Sequence, residues 1–472
     1  MTPNLATKER STATNIVGVL DADNELIEHQ MRNRAHANDG ALRLAQSRLS
    51  RAVETAKLNF EGRPYPVSLR PLALTARQAS DLGSIGERFV DLLDTAARLY
   101  CEDKDARDLF PAYRNVNHLA TKLPKLKPLT RICRLDGLLA PDGSYRILET
   151  NTDSPGGIIQ NGRAGQIWAE IVNPLKDGLA LDIDRQPFVK SPDCFLRELL
   201  AAHRERTGQS ASRAAIVNYR GRFTNEIEWM VDGLIRLGVE TMLVDAATLR
   251  RGPHSVIDTT GRPIELAYNK FDLRDIIDEP EVAAYLEGTA AGDITFLNPL
   301  ICQWPLNDKA ILALLQDQRF SDYFTPAERA LIKDHVPWTR FVRAGRTGAR
   351  DGKRIDLLPY VAENRESLVL KPSNATRGEG VLVGRFTAQA QWEAQLSRAA
   401  AGTPHVVQDY IEAPRISAPH PTDGSIAQMW AGLDVYVYGG RFAGFQSRAS
   451  LDPVMNVGMR GILLPVVVAE GM

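Results

Sequence analysis

Between Arg131 and Gly157 the chain reads Arg-Ile-Cys-Arg-Leu-Asp-Gly-Leu-Leu-Ala-Pro-Asp-Gly-Ser-Tyr-Arg-Ile-Leu-Glu-Thr-Asn-Thr-Asp-Ser-Pro-Gly-Gly. Two apolar runs flank Asp142-Gly143, a dipeptide that accepts the positive φ angles of a type I′ turn, so the segment reads as a β-hairpin. A loop of two or four residues centred on that dipeptide gives every opposed pair of residue numbers the same sum. Asp136 then faces Glu149, and Arg134 faces Asn151. A three-residue bulged turn would slip the strands by one and part these pairs. Side chains alternate along a strand, so all four leave one face.

Carboxylates placed directly opposite on neighbouring strands lie about 4.5 to 5.5 Å apart at Cβ and repel one another. A divalent cation reverses that sign. Carboxylate and amide oxygens with no His or Cys nearby favour a hard ion, and Mg²⁺ takes one or two carboxylates while sharing substrate phosphates and waters. Asp136, Glu149 and Asn151 are the candidate metal ligands. The Asn-Thr-Asp-Ser-Pro-Gly-Gly that follows is a poor continuation for a plain, solvated edge strand.

A second segment carries complementary chemistry. Ser367-Leu-Val-Leu-Lys-Pro-Ser-Asn-Ala-Thr-Arg-Gly-Glu-Gly-Val-Leu-Val-Gly384 sets a lysine at the end of an apolar strand, then a small polar glycine loop, then another strand. Backbone N–H groups of such a loop can close over phosphate oxygens while Lys371 supplies counter-charge, which implies a nucleotide. No G-x-x-x-x-G-K-[ST] occurs, so this is not a Walker loop. Gly378-Glu-Gly380 runs on into strand where a dinucleotide fingerprint needs a helix, which excludes the Rossmann reading.

The rest of the chain sorts by texture. At about 150 residues per domain, 472 residues predict roughly three domains. Residues 1–120 read as a mostly helical N-terminal region, with Phe89, Leu92, Leu93, Ala96 and Leu99 at helical spacing. Residues 121–190 hold the hairpin. Residues 191–305 read as a small α/β domain: strands at 214–219 and 239–244 around a helix at 225–237, then 266–269 and 294–297. Residues 306–472 return to short antiparallel strands.

Charge and composition exclude other classes. Lys and Arg number 57 against 58 Asp and Glu, a formal net charge of −1, so no basic field recruits nucleic acid or an anionic membrane. Hydrophobic content of 44% and charged content of 24% are globular values. The apolar run Ile462-Leu-Leu-Pro-Val-Val-Val-Ala469 falls short of the roughly 20 residues of a membrane helix and reads as core strand. The polar N-terminus lacks a secretory signal, so a cytoplasmic protein is expected. Cys101, Cys133, Cys194 and Cys302 have no C-x-x-C spacing and read as buried thiols.

Taken together, the two segments resemble the ATP-grasp superfamily, whose usual order is strand lysine, glycine loop, adenine hinge and then an R-x-D…E-x-N hairpin. Here Arg134-Leu-Asp136…Glu149-Thr-Asn151 precedes Lys371. The chain is therefore similar to circularly permuted members, the glutathionylspermidine synthase-like and type 2 permuted groups. The resemblance spans residues 120–472 and implies an α+β ATP-grasp fold of antiparallel sheets with helices, a small α/β pre-ATP-grasp domain at 191–305, and nucleotide-binding lobes at 306–472.

The resemblance also implies roles. Lys309 in Asn307-Asp-Lys309 matches the helix-start lysine that reaches phosphates, Lys371 the strand lysine, and Gly378 and Gly380 the mobile loop. Val406-Val-Gln408-Asp409-Tyr-Ile411 is similar to the hinge, where backbone groups of Asp409 and Ile411 would read the adenine edge. Arg448, with Asn456 and Arg460 after it, resembles the segment that steadies the transferred phosphoryl group, and Arg134 joins it as a catalytic cation. Asp153 and Ser154 would touch an acceptor amine, and Tyr219-Arg-Gly-Arg222 an acidic group. The implied activity is an ATP- and Mg²⁺-dependent carboxylate–amine ligase acting through an acyl phosphate on small molecules, with a homodimer left open. An ATP-dependent phosphotransferase and a non-catalytic nucleotide-binding module are the alternatives.

Overall fold

A computed structural model describes residues 21–36, 40–60, 62–177, 179–221, 226–376, 378–455 and 461–469. Helices and largely antiparallel sheets alternate in it. The central element is a six-stranded antiparallel sheet. Its order is Ile462–Leu464, Arg441–Ser450, Ile426–Tyr438, Ile132–Leu139 and Tyr145–Asn151, with Arg415–Pro419 also paired to Ile426–Tyr438. The hairpin thus lies beside a strand from the far end of the chain, with Val435 opposite Leu135 and Tyr436 opposite Arg134.

Alternation gives this sheet two unlike faces. Cys133, Leu135, Val435 and Val437 point into an apolar core that includes Phe89, Val90, Leu93 and Ala97 of the helix Ala76–Glu102. That helix begins on a capping box, Thr75 and Gln78 exchanging side-chain-to-backbone bonds. Gly86 lets it sit close: a Cβ there would come within 2.8 Å of Val435 Cγ1. Buried Asp94 accepts from the amides of Leu129 and Thr130, fixing the helix to the approach of the first hairpin strand. Arg134 and Asp136 necessarily leave the opposite face.

A second antiparallel sheet runs Thr339–Phe341, His405–Asp409, Leu368–Pro372 and Leu382–Val383. The sequence's antiparallel array is therefore divided between two sheets, the lysine strand in one and Ile426–Tyr438 and Arg441–Ser450 in the other. The α/β segment forms a parallel sheet ordered Thr295–Phe296, Leu266–Asn269, Arg213–Asn218 and Glu240–Asp245, with the helix Glu226–Arg236 connecting the last two. Helices Asp21–His36 and Gly40–Thr55 lie in the region read as helical, but Leu72–Thr75 is a strand. It pairs in parallel with Val466–Ala469, a long-range contact that helical periodicity could not reveal. Among the described residues no helix is long and apolar enough to cross a membrane.

One side chain fastens the hairpin to the parallel sheet. Asn298 is fully buried; its Oδ1 accepts from the amides of Arg131 at 2.7 Å and Ile132 at 3.0 Å. Its Nδ2 donates to the carbonyls of Ile132 at 2.7 Å and Thr152 at 2.6 Å. One amide thereby grips the start of one strand and the exit of the other. Each buried backbone group left unpaired costs about 1 to 3 kcal/mol. Asn298→Ala is expected to destabilise the protein by at least about 3 kcal/mol in urea denaturation, and a loss below about 1 kcal/mol would refute the clamp.

Candidate active site

The hairpin reaches its pairing by a route that differs from the sequence reading. Ala140 donates its amide to Ser144 O and Gly143 to Ala140 O, leaving a three-residue loop, Pro141-Asp142-Gly143, with Gly143 at φ 74°. That loop opposes Leu139 to Tyr145 and slips the register by one. A bulge at Leu148 restores it: Gly137 opposes Ile147, and Asp136 opposes Glu149. The two irregularities cancel. Arg134 consequently opposes Asn151.

Gly137 is glycine for a steric reason. A Cβ there would lie 2.6 Å from Arg146 O and from the Tyr145 hydroxyl, which crosses to the Leu433 carbonyl at 3.0 Å. The carbonyl of the bulged Leu148 accepts from Lys371 Nζ at 3.3 Å and Gln408 Nε2 at 3.4 Å. The extra residue is thus a ligand of the lysine strand.

Cations converge on the two acids. Arg134 grips Asp136 with Nε at 2.5 Å and Nη2 at 2.9 Å, and Arg448 Nη2 reaches the same carboxylate at 2.7 Å. Lys309 Nζ lies 3.0 Å from Glu149 Oε2 and donates to Ala375 O at 2.6 Å. Lys371 donates to Gln408 Oε1 at 2.6 Å. Burial opposes the charge on Glu149, yet Lys309, Lys371 and Arg448 hold its carboxyl well below the usual range. Burial brings Lys371 down to about 8 against the pull of Glu149.

Asp434 escaped the sequence reading. It is fully buried, accepts from Arg448 Nη2 at 2.8 Å, and so aims that guanidinium at Asp136. Burial pushes its carboxyl up to about 7, Arg448 opposing and Asp136 adding to the rise. A lone acid in Leu433-Asp-Val-Tyr-Val is the signal that marks it.

The segment after Asn298 joins the parts. Thr150 Oγ1 donates to Leu306 O, Thr152 Oγ1 to Cys302 O, and Asn307 Oδ1 accepts from the Thr152 amide at 2.9 Å. The Lys309 amide then donates to Ser373 O, in the loop after Lys371.

Thirteen of the candidate residues line one cavity of about 990 Å³. They are Arg134, Asp136, Glu149, Asn151, Asp153 and Ser154 on the hairpin side, with Lys309, Lys371, Gly378, Gln408, Asp409, Ile411 and Arg448. Gly380 does not line it; a Cβ there would lie 2.8 Å from Pro372 Cγ. At Asp409 the amide donates to Trp338 O, and the carboxylate takes Arg350 at 2.6 Å. Gln408 serves through its side chain, between Lys371, Leu148 O and Thr339 Oγ1. Tyr219 and Arg220 lie away from the cavity, paired with Glu281. Arg222, Asn456 and Arg460 lie outside the described residues.

Beyond Asn151 the cavity meets the parallel sheet. Asp153 Oδ2 accepts from the Leu273 amide at 2.9 Å, and Ser154 Oγ donates to Phe271 O. Burial and Asp272 push the Asp153 carboxyl well above its usual range. Glu226 and Lys270, also unforeseen, form a buried pair at 2.7 Å, and Glu226 accepts from the amides of Gly157, Ile159 and Gln160. The end of a parallel strand, where Lys270 sits, is a position that marks ligand crevices.

The oxygen donors Asp136, Glu149 and Asn151 suit a hard ion in kind, and the buried Asn151 Nδ2 has no partner among the described residues. Both acids, however, are committed to cations. Among the described residues no three His, Cys, Asp or Glu cluster as a metal site. The set suits such an ion in kind, with its negative charge already met by these cations.

No protein-family model and no curated protein matches the chain. Among solved structures it is similar to a RimK domain protein ATP-grasp from Sphaerobacter thermophilus DSM 20745, at 17% identity and a TM-score of 0.26. The match covers 52% of this chain and 93% of that one. That similarity is too distant to bear on function.

Breaking a buried ion pair by removing one partner costs about 3 to 5 kcal/mol. Lys270→Met is expected to destabilise the protein by about 3 kcal/mol, measured by chemical denaturation, and adding Glu226→Gln should recover part of that loss. If the double variant is no better than the single one, the pair is not the source.

Proposed function

We propose that the chain is an ATP-dependent ligase of circularly permuted ATP-grasp type that joins a carboxylate to an amine through an acyl phosphate. The observation that carries this reading is the convergence of Arg134, Lys309, Lys371 and Arg448 on Asp136 and Glu149 inside one cavity, from elements far apart in sequence. A triphosphate and an acid are both anionic, and fixed cations are what such a transfer needs.

On this reading the base lies toward Val369, Val383, Ile411 and Trp430, and the phosphates run toward Lys309 and Lys371. Asp136, Glu149 and Asn151 would hold Mg²⁺, which when bound neutralises phosphate charge. The acid's oxygen attacks the γ-phosphorus, the bond to the β-phosphate oxygen breaks, and ADP leaves. Arg134 and Arg448 offset charge on the transferred group. The amine nitrogen then attacks the acyl carbon, phosphate departs with the electron pair of the broken C–O bond, and the nitrogen loses a proton. Asp153 and Ser154, at the parallel-sheet end of the cavity, would orient the acceptor.

The test is ADP release across panels of acids and amines, with hydroxylamine as a trap. A hydroxamate formed only with ATP and an acid supports the ligase, whereas a stable phosphorylated product would make the protein a phosphotransferase. Glu149→Gln should cut turnover by about 10²-fold or more; a rate near that of the parent would remove Glu149 from the site.

A further inference from the structure

The acids that would meet a metal ion are occupied. Three guanidinium nitrogens lie on Asp136, two from Arg134 and one from Arg448, and an ammonium lies on Glu149. Lys371 stands beside them, held by Gln408 and the Leu148 carbonyl. A free dication approaching Asp136 meets nitrogen donors on the same oxygens it has to coordinate, within the repulsive field of four cations. A polyanion entering the same space meets an attractive field and gives each cation a new partner. The ammonium is also the most readily transferred, since it holds its acid through one nitrogen, whereas Arg134 grips Asp136 with two and Arg448 is kept in place by Asp434.

Resting on the reading of this cavity as a nucleotide site, we propose that the charge cluster is closed to a free metal ion and opened by the triphosphate. Phosphate oxygens draw Lys309 from Glu149, and the bared carboxylate would then be free to hold a divalent ion. The ligand class that opens the cluster is a linear triphosphate, with or without a nucleoside. Linkage makes the effect reciprocal: the anion raises metal affinity by the factor by which the metal raises anion affinity, commonly about 5- to 150-fold.

The full chain is titrated with Mn²⁺ by electron paramagnetic resonance, alone and with either inorganic tripolyphosphate or a hydrolysis-resistant ATP analogue, correcting for Mn²⁺ held by free anion. Tripolyphosphate and the analogue are also titrated calorimetrically in EDTA. The expected result is anion binding in EDTA, together with Mn²⁺ binding that is at least about tenfold tighter with anion than without. Lys309→Met should tighten Mn²⁺ binding in the absence of anion and weaken metal-free anion binding, opposite movements that a merely structural lysine would not produce. Mn²⁺ binding as tightly alone as with anion overturns the closed cluster while leaving the nucleotide reading intact. Binding of the metal–anion complex with no binding of the anion alone overturns the order of events. Failure of both anions to bind under every condition overturns the nucleotide reading as well.

Discussion

Like charges on directly opposed strand positions destabilise a sheet, and Asp136 against Glu149 is such a pair. Two unit charges about 4 Å apart at an effective dielectric near 20 repel by roughly 4 kcal/mol, the scale of cost that such a pairing has to offset. The pair persists because four cations arrive from separate elements: Arg134 from the same strand, Arg448 from Arg441–Ser450, Lys309 from the start of Ala310–Leu315, and Lys371 from the second sheet. The sheet order that sets Ile132–Leu139 beside Ile426–Tyr438 is what lets Arg448 and Asp434 reach the acids at all. Site electrostatics and topology are here one requirement.

The parallel sheet takes part in that requirement. Its last strand leads into Asn298, Cys302, Leu306 and Asn307, which bond the backbone and threonines of the hairpin, and then directly into Lys309. Nine residues beyond Leu300 the same segment has crossed to the loop after Lys371, where the Lys309 amide meets Ser373 O. A residue that fastens the hairpin and a residue that neutralises it therefore travel on one short stretch of chain.

What was legible in the sequence was legible through alternation. The period of two put Arg134, Asp136, Glu149 and Asn151 on one face, and the Asp-Gly dipeptide put a turn between them. Loop length was misread because Pro141 and Gly143 suit a three-residue loop as well, and no residue type announces the bulge at Leu148. Gly137 is the trace it leaves, a missing side chain opposite the place where an aromatic ring crosses. Asp434 and Lys270 needed tertiary knowledge: each is one charge at the edge of, or within, an apolar run, and only the partners Arg448 and Glu226 explain it. That the Asp409 amide is taken up was not legible because its acceptor, Trp338 O, lies some seventy residues away in sequence.

The bulge also bears on what the order of strands along the chain leaves open. In an antiparallel sheet the pairing of Ile132–Leu139 with Ile426–Tyr438 depends on register and not on which strand comes first, since no crossover helix has to follow a fixed hand. The link between the hairpin and the lysine strand is a contact between Leu148 O, Lys371 and Gln408, which likewise has no direction in sequence. What chain order cannot relax is geometry. A regular hairpin of the same length would lose either the three-residue turn or the pairing of Asp136 with Glu149, and without the extra residue there would be no turned-out Leu148 carbonyl to receive the Lys371 ammonium.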